Sequence, residues 1–258
     1  MDPGSCRIHL EQVLGSKCWP LVVEENGQIK GEMEVVVGPD PVWGMVAHID
    51  VLQVHREFQR KGMGKALVMD GLARAIQSGC DMYTTCPADS AVGFYAKCGL
   101  TNVIAGEREL TLPVDLVSSK GASDVERCTL STFDPLLSKR LLLGRYQTSF
   151  SEWLKGKWAV ERDTGYLVPV EEGFVASLGA YYRLSHWPPG PRSLGLKGWV
   201  SDSAKLPELI ATVAQRVREL GSDTIITSVD VKELSKLENI GGTYGKESML
   251  LGRVLTSA

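Results

Sequence analysis

The chain has 258 residues, with 43% hydrophobic and 23% charged residues and a formal net charge of −3, so it holds one large or two modest globular domains. The slight acidity excludes a surface built for nucleic acid or an anionic membrane, and no apolar run reaches the length of a membrane span. Met1-Asp-Pro-Gly-Ser lacks the basic start and apolar core of a signal peptide, and the six cysteines form no C-x-x-C pair, so the expectation is a cytoplasmic protein with reduced thiols and no metal.

Residues 7–18 read as a short helix or loop. Trp19 to Glu25 and Gln28 to Val37 are two strand-like runs joined by Asn26-Gly27, the strongest short hairpin signal. After Gly38-Pro-Asp-Pro, residues 44–54 read as a third strand, carrying His48, Asp50 and Gln53 among apolar residues. Residues 63–78 predict an amphipathic helix ended by Ser78-Gly79. Asp81 to Thr85 reads as a strand, Ala88 to Cys98 as a helix closed by Gly99, and Val103 to Leu112 as another strand.

Residues 46–65, VAHIDVLQVHREFQRKGMGK, organise this pattern. A strand runs through a glycine-containing turn into a helix, where the first backbone N–H groups have no intrahelical partner and the dipole favours an anion. Gly62 and Gly64 would permit close approach of a phosphate, and Arg60, Lys61 and Lys65 surround it with positive charge. The residues alone therefore predict a pyrophosphate cradle. They match neither a dinucleotide G-x-G-x-x-G nor a P-loop.

Gln59-x-x-Gly62-x-Gly64 resembles the Q/R-x-x-G-x-G/A signature of the GCN5-related N-acetyltransferases. Ser90-Ala-Val-Gly-Phe94-Tyr95-Ala-Lys-Cys-Gly99-Leu100 is similar to the family's A-x-x-F-Y-x-x-x-G-F element, with Leu100 in place of the usual Phe. The likeness covers roughly residues 20–110. It implies an α/β fold with a mixed sheet, acetyl-CoA as co-substrate, and an amine acceptor.

Carried over residue by residue, the resemblance implies cofactor contacts from Gln59, Arg60, Lys61, Gly62, Met63, Gly64, Lys65, Ser90 and Tyr95. Main-chain groups of Leu52, Gln53 and Val54 would hold the pantetheine arm and thioester. Tyr95 stands where the family's tyrosine protonates the leaving thiolate. His48 stands where histone acetyltransferases of the family hold a glutamate base. Simple strand alternation would put Asp50 on the same face, about 7 Å away between Cα atoms, to orient His48. A buried core histidine with Asp50 as its partner is the competing reading. His55 is expected to be structural or exposed, and Cys86 and Cys98 small buried side chains.

The family normally begins with a strand and two helices that shape the acceptor pocket, and too few residues precede Trp19 for all three. The acceptor pocket is therefore expected to be open or closed by another part of the chain.

Residues 116–135 read as a linker between a first domain, 1–115, and a second, 136–258. Leu136 to Trp158 reads as partly helical, and Phe174 to Leu184 as a strand. Ser78 to Thr85 aligns with Leu220 to Thr227 at an offset of 142, which also sets Gly99 on Gly241. At that offset Gln59, Gly62, Gly64 and Tyr95 fall on Ser201, Ala204, Leu206 and Leu237, so the second half lacks the cradle. His186-Trp-Pro-Pro-Gly-Pro reads as a stiff connecting loop.

The expected protein is thus a tandem of two such domains, the second degenerate, transferring acetyl directly from acetyl-CoA to an amine. Its rivals are a catalytically silent acyl-CoA sensor, a variant using another acyl-CoA, and a scaffold of two degenerate domains.

Overall fold

A computed structural model of the chain describes residues 3–118, 122–144, 148–162, 168–186 and 192–255. The chain divides into two compact units, Met1–Ile104 with Met249–Ala258, and Ala105–Ser248.

In the first unit, helix α1 (Pro3–Leu14) precedes a meander of β1 (Cys18–Glu25), β2 (Gln28–Asp40) and β3 (Gly44–Val54). Asn26 and Gly27 take φ of 54° and 74°, the left-handed pair a two-residue hairpin turn requires. Helix α2 (Met63–Gln77) then crosses to β4 (Met82–Thr85), which lies parallel to β3. Leu67, Val68, Leu72 and Ala75 recur at helical spacing and are buried with Met33, Val35, Ala47 and Ile49. Gly71 lets α2 approach the sheet closely, since a Cβ there would stand 2.5 Å from the Tyr83 hydroxyl oxygen. Helix α3 (Val92–Lys97) follows, and then β5 (Asn102–Pro113).

Only residues 102–104 of β5 belong to this unit. The neighbour of β4 is instead the end of the chain's last strand, β12 (Thr243–Val254), with Leu251 to Val254 set antiparallel on Thr85 to Met82. Leu251 and Leu255 are buried in the first unit's core. The division therefore differs from the expected 1–115 and 136–258: the first unit takes back the final strand, and residues 116–135 fall inside the second. The physical reason is that β5 makes its ladder with β11 of the second unit, from Thr224–Pro113 to Asp230–Glu107.

The second unit continues from β5 through β6 (Glu126–Arg127) and β7 (Arg140–Leu143) to helix α4 (Ser149–Arg162). Strands β8 (Pro169–Val175), β9 (Ala180–His186) and β10 (Ser193–Val200) form an antiparallel meander. Helix α5 (Leu206–Glu219), β11 (Thr224–Asp230), a short 3-10 turn at Leu234–Leu237 and β12 complete it. The region expected as one strand from Phe174 to Leu184 is two, turned at Gly179 with φ 58°. Strand β7 interrupts the segment expected to be helical. His186 ends β9, and residues 187–191 of the proline loop lie outside the described residues.

The order of elements in the second unit repeats that of the first: helix, three-strand meander, helix, parallel strand, short helical turn, strand. Gly79 and Gly221 both take positive φ, 68° and 77°, and so do Gly99 and Gly241, 88° and 81°. The left-handed residues that end equivalent helices thus recur at the 142-residue offset.

Candidate active site

The β3–β4 ladder runs from Val46–Met82 to Ile49–Thr85 and stops. Beyond it β3 continues to Val54, paired only with β2. Among the described residues, no strand pairs with the other edge of Asp50 to Val54. That edge offers backbone N–H and C=O groups to an extended ligand, as a sheet edge does. Leu52, Gln53 and Val54, the expected main-chain contacts, lie on it.

The strands part at a bulge. Val51 faces Glu34 and Ile49 faces Val35, leaving Asp50 as the extra residue. Simple alternation is therefore not what relates His48 to Asp50. His48 shares its face with Val36 and Val51, opposite the α2 core, and Cys18 joins that face through its pairing with Val36. The Cys18 thiol is pushed up to about 12 by burial and then by charge on Glu34 and Asp50, so both carboxylates lie near it. Glu34 is held by His9 of α1, 2.7 Å away. One face at the parting thus collects His9, Cys18, Glu34, His48 and Asp50.

His48 is only 1% exposed, and its Nδ1 lies 2.8 Å from the Thr84 hydroxyl. It sits on the paired part of β3, one residue short of the parting. In this structure an amine cannot reach it directly, so the structure places it as the buried histidine of the competing reading rather than as a base in contact with substrate. Asp50, at the bulge, is partly exposed.

Tyr95 lies on the opposite face, in the α2 core, 7% exposed. Burial raises its pKa, with a Thr85 hydroxyl hydrogen bond acting against it. The phenol stays protonated at neutral pH. Thr85 is the last β4 residue before the strands separate, so it sets Tyr95 at the gap from one side while Thr84 holds His48 on the other. Phe94 packs edge-on to Tyr95 at 5.0 Å. Ser90 is exposed in a 3-10 turn before α3.

The loop from His55 to Gly62 connects the open edge to α2. Gln59 donates from Nε2 to the Val54 carbonyl at 3.1 Å, which pins the loop to the end of the strand. Gly62 precedes α2 at φ 87° with no side-chain cap on the helix. The amide of Ala66 bonds the Gly62 carbonyl, leaving Met63, Gly64 and Lys65 as the first turn, whose N–H groups lack intrahelical partners. The two glycines act differently. A Cβ on Gly62 would meet nothing within 4 Å, so its value is the left-handed backbone, whereas one on Gly64 would stand 3.3 Å from Phe94 and 3.6 Å from Val54. Gly64 thus also serves the close seating of α2 on its own unit.

Sequence reasoning missed Glu34, His9, Lys30, Phe58, Thr84 and Thr85. Glu34 had a signal, a carboxylate between Met33 and Val35 in an apolar strand. The threonines read as ordinary strand residues.

Residues 7–100 match the model of the Acetyltransferase (GNAT) family. This part of the chain is similar to that family. A 58-residue stretch is 38% identical to the glucosamine 6-phosphate N-acetyltransferase of Schizosaccharomyces pombe; the match takes in 22% of this chain and about half, 52%, of that relative. Among solved structures, a GCN5-related N-acetyltransferase from Anabaena variabilis shares the fold at TM-score 0.63 and 10% identity, over 99% of this chain and 67% of that one. A tandem GNAT protein from the clavulanic acid biosynthesis pathway gives TM-score 0.51 at 14% identity, over 98% and 89%. Among the described residues, no group of three His, Cys, Asp or Glu side chains could hold a metal, and no helix is long and apolar enough to cross a membrane.

Proposed function

We propose that the chain is an N-acetyltransferase with one active site, in the first unit, moving acetyl from acetyl-CoA directly to an amine. The observation that carries this is the meeting of the open β3 edge with an uncapped helix start ringed by cations. The pantetheine arm pairs with Asp50 to Val54. The pyrophosphate lies on the first N–H groups of α2, beside Arg60, Lys61 and Lys65.

The amine enters from the α1 face, loses a proton to Asp50, and attacks the thioester carbonyl. The C–N bond forms, the C–S bond breaks, and Tyr95 gives its proton to the departing thiolate. His48 acts as a positioning residue behind Asp50. The second unit is a degenerate copy. The similarity to a glucosamine 6-phosphate N-acetyltransferase makes phosphorylated amino sugars the first acceptors to try.

Calorimetric titration of acetyl-CoA, followed by thiol release across a panel of amines headed by glucosamine 6-phosphate, tests the reading. Tight binding with thiol release that depends on an amine supports it. The burial of His48 and Tyr95 favours a second reading, a silent acyl-CoA-binding protein, which would bind and release no thiol with any amine. Absence of binding removes both.

A further inference from the structure

We infer that Lys30, Phe58 and Lys61 form a site for a phosphomonoester dianion beside the cradle. The inference rests on the acetyl-CoA reading for one of its two possible ligands. In the β1–β2 ladder Val23 faces Gly31 and Glu24 faces Ile29, so Lys30 is the extra residue of a second bulge. The bulge takes Lys30 out of the strand's alternation. Its carbonyl accepts the amide of His55 at 2.9 Å, which fixes it at the root of the cradle loop.

Lys30 is 7% exposed, and its Nζ stands 3.9 Å from the centroid of the Phe58 ring. Lys61, next to Gly62, places its Nζ 5.1 Å from the same ring. Two ammonium groups thus lie against one aromatic ring. Nζ of Lys30 donates to Gln28 Oε1, a neutral acceptor, at 2.5 Å. Neither ammonium has a carboxylate partner among the described residues. Elsewhere buried cations are neutralised: Arg183 by Glu172, Lys197 by Glu152, Arg216 by Glu171. A ring quadrupole attracts a cation but does not cancel its charge, and a buried ammonium without a counter-charge is costly. Lys30 is the exception, and it lies beside a surface already suited to phosphate. The missing charge is an anion from outside the chain, and a dianion matches two cations.

Two ligands carry that chemistry here: the ribose phosphate of coenzyme A and the phosphate of a phosphorylated amino sugar. The test measures affinity of the wild-type chain, Lys30→Met, Lys61→Met and Lys30→Arg for two matched pairs. The first pair is acetyl-CoA against dephospho-acetyl-CoA, which lacks the ribose phosphate. The second is glucosamine 6-phosphate against glucosamine.

In one pair the wild type should favour the phosphorylated member by about tenfold or more, and both Met variants should shrink that ratio toward one by weakening that member more than its partner. Lys30→Arg should keep most of it. The pair that responds names the ligand. Ratios unchanged by both Met variants, or near one in the wild type for both pairs, overturn the site; Lys61 is exposed, so Lys61→Met keeps the test valid where Lys30→Met folds poorly. Wild-type failure to bind any coenzyme A form would instead overturn the proposed function, leaving the amino-sugar pair to decide the site.

Discussion

The starts of α2 and α5 occupy equivalent places in the two repeats and are finished differently. At α2 the loop of eight residues, 55–62, carries three cations and one carboxylate, and the helix has no side-chain cap. At α5 the loop of five, 201–205, folds into a 3-10 turn whose second amide, Ala204, donates to the Asp202 carboxylate at 2.9 Å. Leu206 is wholly buried at the helix start, and Pro207 has no N–H to offer. A carboxylate is built in at one start, and no side chain caps the other.

The strand edges differ in the same sense. β10 pairs in parallel with β11 only from Ser193 to Gly195, then parts from it as β3 parts from β4. Into that gap comes β7, antiparallel to β10 from Gly198–Leu143 to Val200–Arg140. The chain's own strand fills the place that stays unpaired in the first unit. In the proposed reading, strand, cap and buried leucine together close the second site.

The largest effect should come from separating the repeats. Removing residues 249–258 strips β4 of its antiparallel neighbour and the core of Leu251 and Leu255, each core leucine alone being worth about 2–5 kcal/mol. The shortened chain should lose acetyl-CoA binding and the cooperative melt of the first unit by circular dichroism. A fragment of residues 1–115 that binds acetyl-CoA normally would show that the last strand is dispensable.

Substitution at the helix starts should be equally one-sided. Gly64→Val drives a branched side chain against Phe94 and Val54 and should weaken acetyl-CoA by about 100-fold. Ala204→Gly, at the place equivalent to Gly62, should leave the titration at one acetyl-CoA per chain. A second binding event in either the wild type or Ala204→Gly would mean that β7 does not block the second groove.

Within the first site the two faces of the gap can be told apart. Tyr95→Phe and Asp50→Asn should each lower kcat by about 100-fold with acetyl-CoA affinity unchanged, as expected for groups that move protons. His48→Gln, which alters a buried hydrogen bond to Thr84, should cost less than either. A larger loss with His48→Gln than with Asp50→Asn would return the base role to His48.

Much of this was legible because it is local. The hairpin needs only Asn26-Gly27, and the run from β3 into α2 only a strand, a glycine turn and a helix start. The repeat showed through Gly79 and Gly99, where backbone conformation restricts the residue. What stayed hidden depends on partners distant in the chain. No pattern in β5 tells whether it pairs with β4 or with β11, and β7 is four residues long. The bulges at Lys30 and Asp50 shift alternation by one residue while leaving composition unchanged. His48 is held by Thr84, 36 residues further on, which its neighbours in sequence do not announce.

The smallest effect sets a built-in cap against a borrowed one. Asp202→Ala frees the Ala204 amide at the entry to α5 and should cost about 1 kcal/mol, seen as a lower melting temperature. Acetyl-CoA at about 100 times its dissociation constant should raise the stability of a chain that binds it once by about 2.7 kcal/mol. If the second start is closed to the cofactor, the two effects are independent: Asp202→Ala lowers the melting temperature equally with and without acetyl-CoA, and the ligand-induced rise is the same in both chains. A rise that grows in Asp202→Ala would mean the bared helix start has begun to take the anion. The difference between the two repeats would then lie in one carboxylate rather than in the strand, the loop and the buried leucine together.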